Sequence, residues 1–345
     1  MKAEPESGES AQPDTQSQQS REPSMQASTV AHERVSNVIW NVFDASERGA
    51  NHIRRNSVNQ DATGTEECAE QRMAIAAVSD GHGSPKYFRS DIGAKLAVEA
   101  ALKSARLMAS QLQLPGDGAL DSRIAQECVR SIYEVWRESI ERHIEGNPFT
   151  ESEIQLLDGS PQSDSDTSPI PFAYGSIPYG ATLLMALVVG EYFYYVQLGD
   201  GDILAVNADG TVHQPVHKRK SLISTETDSL CAPDAPKMFD WRFQWGQSIA
   251  PALILLCTDG YSESFSEVGG FEKAGRDFLS KIRSEGADSV TSRVGAWLRC
   301  TSDNGVGDDT SIALMWRSII ESPTRTDVDD IHGEHETTAI QNVKP

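Results

Sequence analysis

The sequence predicts an α+β fold, an antiparallel β-sandwich flanked by helical layers (α-β-β-α), and three observations lead there. Strand-like runs rich in β-branched and aromatic residues follow one another, as at 181–189 (ATLLMALVV) and 192–200 (YFYYVQLGD). The tight turns Gly190-Glu191 and Asp209-Gly210 join neighbouring runs as hairpins. Helical patterns interrupt the strands in pairs, not as the single crossovers that a parallel sheet requires.

Taken in order, the first 33 residues are Ser, Gln, Glu and Pro with few apolar side chains, too few to offset the entropy of ordering them, so 1–33 is expected to be disordered. Residues 36–44 (SNVIWNVFD) suit a strand, followed by a polar stretch that ends in Asn59-Gln60-Asp61. A second strand at 73–78 runs into the turn Asp80-Gly81-His82-Gly83. From 88 to 112, Ile92, Leu96, Ala100 and Leu107 recur at helical spacing. From 121 to 144, Ile124, Cys128, Ile132, Val135, Trp136 and Ile140 form a cleaner stripe, with Asp121 as N-cap. That stripe reads as core.

Residues 146–178 lose all period and turn to Ser, Asp, Pro and Gly, which predicts a surface insertion. After the hairpin, 202–212 (DILAVNADGTV) supplies a further strand pair. The stretch 214–238, basic at HKRK and rich in proline near its end, reads as a flap-like loop. Residues 251–257 (PALILLC) form a buried strand that delivers Thr258-Asp259-Gly260. Helical patterns at 271–282 and 290–298 precede a last strand at 311–316. A folded domain is thus expected over 34–318, with a disordered tail over 319–345, where His332 and His335 read as solvated.

A formal net charge of −21 over 345 residues argues against nucleic acid and anionic membranes as partners, since both require a cationic surface. Five cysteines, scattered and never spaced C-x-x-C, indicate neither a disulfide framework nor a zinc knuckle and fit a reducing, cytoplasmic setting. The N-terminal stretch lacks the apolar core of a signal peptide, and no apolar run approaches the length of a membrane span.

The informative feature is positional. Strand ends finish in aspartate beside glycine or a second aspartate at Asp80-Gly81, Gly199-Asp200, Asp259-Gly260 and Asp308-Asp309, with Asp61 a fifth candidate. Any one alone is an ordinary turn. Together, at one end of a sandwich, they would crowd negative charge that only a cation neutralises, and all-oxygen ligands select Mg²⁺ or Mn²⁺. Glycine beside a carboxylate lets the backbone approach, so the Gly81 carbonyl is a further ligand candidate. Two such ions would activate water and stabilise an in-line phosphoryl displacement without a protein nucleophile. His82, beside Asp80, suits proton donation to a leaving oxygen near neutral pH.

Read in order, RRNSVNQD (54–61), AVSDGHGS (77–84), YGATLLMA (179–186), LGDGDILAV (198–206), LLCTDGYSES (255–264) and GDDTSIAL (307–314) resemble successive motifs of the metal-dependent protein phosphatase 2C-like family, from about Val38 to Trp316. The resemblance implies hydrolysis of phosphoserine or phosphothreonine on proteins, a dinuclear Mn²⁺ or Mg²⁺ centre in a cleft at one end of the sheets, and opposition to a serine/threonine kinase. By position, Asp80 would bridge both metals and the Gly81 carbonyl would bind one. Asp259 and Asp308 would hold the other, and Asp61 would join through water. Asp200 with Asp259 would form the third-metal site that some members use, and His82 takes the general-acid position. The family's phosphate-binding arginine falls at Asn56 here. The form around Gly49, His52 and Asp61 resembles a bacterial branch, in which Arg54 or Arg55 is expected to reach the phosphate. Gln60 stands where glutamate is frequent, Asp309 where asparagine is, and Ser84 where glycine is.

Rival chemistries lack their signatures: no cysteine is followed by arginine at phosphatase spacing, and neither a P-loop, a G-x-G-x-x-G nor an H-E-x-x-H is present. The alternative from another class is a catalytically silent phosphatase-like module that binds phosphoproteins or a signalling partner.

Overall fold

The computed structural model describes residues 37–112, 122–157, 175–217, 227–246 and 250–320. Two five-stranded antiparallel sheets lie face to face between helical layers, as the strand succession predicts. One sheet runs β1 (Asn37–Glu47), β10 (Thr310–Ile320), β9 (Leu253–Cys257), β6 (Asp202–Val206), β7 (Val212–His213). The other runs β2 (Ala62–Cys68), β3 (Met73–Ser79), β4 (Leu183–Val189), β5 (Tyr192–Leu198), β8 (Asp240–Trp245).

Both faces of the central strands are covered, which is why β3, β4, β5, β6 and β9 are buried along their whole length and read as continuous apolar runs. The pleat divides the side chains between two compartments. Ala74, Ala76, Val78, Leu184, Ala186 and Val188 meet Ile254, Leu256, Ala313 and Met315 between the sheets. Their neighbours Ile75, Ala77, Met185 and Leu187 face the helices α2 (Ser90–Gln111) and α3 (Ser122–Gly146). On the other side Leu255, Ile312 and Leu314 face α7 (Gly270–Glu285) and α8 (Ala287–Asn304), through Phe278, Leu279, Val294 and Leu298.

The α3 stripe is core as expected: Cys128, Ile132, Trp136 and Ile140 are buried, and Trp136 Nε1 donates to the Gly93 carbonyl at 3.1 Å. On α2, Leu107 is exposed and Met108 takes the inward position, a shift of one residue in the stripe. Asp121, offered as the α3 N-cap, lies outside the described residues.

Besides helices of a single turn, three elements went unread in the sequence. Two are the edge strands β2, whose ATGTEEC has little apolar alternation, and β8, whose DWRFQW alternates polar and apolar residues directly behind the flap-like stretch. The third is α1 (Ala50–Arg55), closed by Asn56 in the left-handed conformation at φ 54°, which asparagine tolerates better than most residues.

The expected insertion is partly built into the fold. Residues 147–157 include the short α4 (Glu151–Ile154), capped by Thr150 and Glu153 in a reciprocal capping box, and Leu157 is buried. Arg89, at the start of α2 and 8% exposed, anchors this segment. Its Nε and Nη2 reach the two Glu153 oxygens at 2.9 and 3.0 Å, and its Nη1 donates to the Asn147 carbonyl and the Tyr179 hydroxyl at 2.8 Å each. The end of the flap-like stretch likewise packs inward: Ser229, Leu230 and Ala235 are buried, the last opening the short α5 (Ala235–Met238). Residues 158–174 and 218–226 of these two segments, and the chain ends 1–36 and 321–345, lie outside the described residues.

Register gathers the strand ends that carry the aspartates. Ala62 pairs with Ser79, so Asp61 and Asp80 leave β2 and β3 side by side. Cys257 faces Asp202 on β6 and Ile312 on β10, which brings the chain after β9 beside the chain before both.

Candidate functional site

A cleft of about 290 Å³ opens at that end of the sandwich, lined by His52, Arg55, Gln60, Asp80, Gly81, His82, Asp200, Asp259 and Asp308 among others. Four elements deliver the acids. Asp80 follows β3, with its N–H donating to Thr182 Oγ1 at 3.0 Å and its carbonyl accepting from the Thr182 N–H at 2.8 Å. Asp200 follows β5 and accepts a hydrogen bond from Thr227 Oγ1 at 2.6 Å. Asp259 opens the short α6 (Asp259–Ser262) after β9, and Asp308 precedes β10. Asp61 sits deeper, 5% exposed, and accepts from Thr258 Oγ1 at 2.8 Å.

Carboxylate oxygens of Asp80, Asp200 and Asp259 lie within 4.8 Å of one another. The electrostatic cost is visible in their acidities. Burial, then the charges of Asp309 and Asp259, raises the Asp61 carboxyl well above its ordinary value. Burial, then Asp61, Asp259 and Asp308, does the same to Asp80. Asp259 is pushed up to about 6, first by burial and then by the charge of Asp200. Such a set cannot all be ionised near neutrality without a positive charge among them. The donors are oxygens only, which fits a hard divalent cation.

Of the two arginines, Arg55 lines the cleft, whereas Arg54 is hydrogen-bonded to Asn51 Oδ1 and is not among the lining residues. Asn56 caps α1, so the arginine position of the family is here a helix terminus. His82 lies in the turn after Asp80, with its backbone N–H donating to the Gly180 carbonyl at 3.1 Å and its ring 4.7 Å from that of Tyr87. Gly180 packs against both rings, leaving no room for a side chain. The Gln60 amide donates to the His82 carbonyl at 3.1 Å and to Ser90 Oγ at 2.6 Å, a role glutamate could not fill.

Sequence reasoning missed what Asp309 does. Its carboxylate, 3% exposed, accepts from the Gly49 N–H at 2.6 Å, the Gln60 N–H at 2.7 Å and the His52 ring at 2.8 Å. It thereby ties α1 and the loop bearing Asp61 to the loop bearing Asp308. Gly49 and Gly260 are needed around it, because a Cβ on either would overlap the Asp308–Asp309 backbone. The signal in the sequence was the second acid of Asp308-Asp309, but its partners lie about 250 residues away in the chain.

No curated protein matches this sequence. Among solved structures, a bacterial serine phosphatase carrying an arginine-to-lysine substitution aligns over 82% of this chain and 99% of its own, at TM-score 0.50 and 14% identity. The serine/threonine phosphatase Stp1 from Staphylococcus aureus aligns over 82% and 96%, at 0.48 and 13%. The catalytic domain of the serine threonine protein phosphatase PstP, in complex with two manganese ions, aligns over 81% and 99%, at 0.47 and 17%. The first of these likenesses is one of fold. The family model described as Protein phosphatase 2C matches residues 48–299, which covers α1 through most of α8 and every candidate site residue except Asp308. The chain belongs to the protein phosphatase 2C family.

Proposed function

We propose that this cleft hydrolyses phosphate monoesters, phosphoserine and phosphothreonine on proteins, with Mn²⁺ or Mg²⁺ as resident cations. The observation that carries the reading is the convergence of Asp80, Asp200 and Asp259 in one cleft with a histidine and an arginine on its walls. Asp80, the Gly81 carbonyl, Asp259 and Asp308 would hold the two ions, with Asp61 behind them and Asp200 with Asp259 at a third position. Bound there, divalent cations supply a deprotonated water as nucleophile and offset charge on the phosphoryl oxygens.

The chain's own groups then divide the remaining work. Arg55 brings a guanidinium to the wall of an otherwise acidic cleft, where it binds and orients the phosphate. His82, held by the Gly180 carbonyl and bracketed by Gly180 and Tyr87, gives its proton to the departing serine or threonine oxygen. Gln60 keeps that turn in place through the His82 carbonyl. A cytoplasmic role opposite a serine/threonine kinase is the setting such an activity implies.

The test is hydrolysis of para-nitrophenyl phosphate and of a phosphothreonine peptide by purified protein with Mn²⁺, with Mg²⁺ and with chelator. Turnover of both, present only with metal, is the expected result. Metal binding without turnover would replace the enzyme with a silent phosphoprotein-binding module.

A further inference from the structure

The imidazole of His52 stands on the cleft wall with one nitrogen already committed. Nδ1 lies 2.8 Å from Asp309 Oδ2, and that carboxylate, buried and accepting from two backbone N–H groups as well, can only accept. Nδ1 is therefore the ring's N–H, and in the neutral ring Nε2 carries the lone pair. Nε2 lies 3.8 Å from Asp308 Oδ1, beyond hydrogen-bonding range. Two donor atoms so spaced can each lie about 2.1 Å from a single ion. Both oxygens of Asp309 are engaged by hydrogen bonds, from Gly49, Gln60 and His52. Asp309 occupies the place of the carboxylate that fixes the tautomer and direction of a metal-binding histidine.

Gln60 adds a reason. At the position where the resemblance places a glutamate, its amide is spent on His82 and Ser90 and supplies no carboxylate to the cation. We propose that His52 binds, through Nε2, the cation held by Asp308, with Asp309 as the positioning residue that orients the ring. A nitrogen ligand favours Mn²⁺ over Mg²⁺, which keeps to oxygen ligands and its own waters. The inference rests on the metal-dependent reading above.

Pulsed EPR of the full-length protein loaded with Mn²⁺ reads coordinated nitrogen directly. Imidazole-nitrogen modulation is expected in the wild type, retained in His82→Ala and lost in His52→Ala and His52→Gln. By titration, either His52 variant should raise the Kd for Mn²⁺ by about tenfold or more and the Kd for Mg²⁺ by clearly less. Modulation that survives in the His52 variants overturns the proposal. So does a wild-type spectrum without nitrogen from protein that binds Mn²⁺ and hydrolyses phosphate with it, an outcome that needs no variant to fold and leaves the proposed function standing. Failure to bind Mn²⁺ at all would remove both.

Discussion

At Asp259 the site and the stability of the fold pull in opposite directions. Its carboxyl is pushed up to about 6 from an ordinary 3.8, first by burial and then by Asp200. A raised pKa means that the group's stabilising contribution is complete below about pH 4 and is lost as the pH rises through about 6. Asp259→Asn removes that loss. The metal-free variant should therefore match the wild type in thermal stability near pH 4 and exceed it near pH 7 by on the order of 2 kcal/mol. On the proposed role of Asp259 in holding a cation, the variant's metal-dependent hydrolysis should disappear. Melting curves of both proteins in chelator across that range check the first expectation, and a variant that is less stable at pH 7 would contradict it. His82 carries the proposed proton donation. His82→Ala should slow hydrolysis of a phosphothreonine peptide by about 10²-fold or more, while para-nitrophenyl phosphate, whose leaving group needs no proton, loses much less. Equal losses on the two substrates would take His82 out of the acid role.

Between residues and whole lies the Arg89 clamp, which fastens the α4 segment and Tyr179 to the first turn of α2. Its bidentate pair with Glu153 is mostly buried and is reinforced by the Phe149 ring 4.5 Å from the guanidinium. Breaking one partner of such a pair strands the other, so Arg89→Gln should cost about 3 kcal/mol. The hydrogen bond from Arg89 is the largest influence lowering Glu153 from 4.5 to about 2. A depressed carboxylate stabilises above its ordinary value and ceases to do so below its folded one. The stability gap between wild type and Arg89→Gln should thus be constant above about pH 5 and narrow as the pH falls towards 2, as denaturant melts at several pH values would read. This element was not legible in the sequence, where 146–178 shows only lost periodicity. The same holds for β2, whose ATGTEEC offers too little alternation to read, whereas the DWRFQW of β8 alternates polar and apolar residues and carries the signal of a half-buried strand. The central strands were legible for the converse reason, covered on both faces and apolar throughout.

For the molecule as a whole, the sequence disclosed which residues meet in the cleft better than how they are held. Asp80, Asp200, Asp259 and Asp308 were visible as acids at strand ends, since antiparallel register brings such ends together. The hold of Asp309 on Gly49, His52 and Gln60, and the choice of Arg55 over Arg54, depend on contacts that no local pattern encodes. The assembled acids make one demand of the entire fold. In a protein of net charge −21, Asp61, Asp80 and Asp259 hold protons more tightly than ordinary carboxyls because burial and one another's charge oppose ionisation. A divalent cation must displace those protons before it binds. Cation binding to the native state alone then raises the melting temperature by an amount that follows affinity. The rise produced by a fixed concentration of Mn²⁺ should accordingly be small at pH 5.5 and larger at pH 8, with protons released on binding in calorimetric titrations near pH 6. Asp259→Asn should flatten that dependence. A Mn²⁺ effect of the same size at both pH values, with no proton release, would mean that the cation binds elsewhere than among these carboxylates.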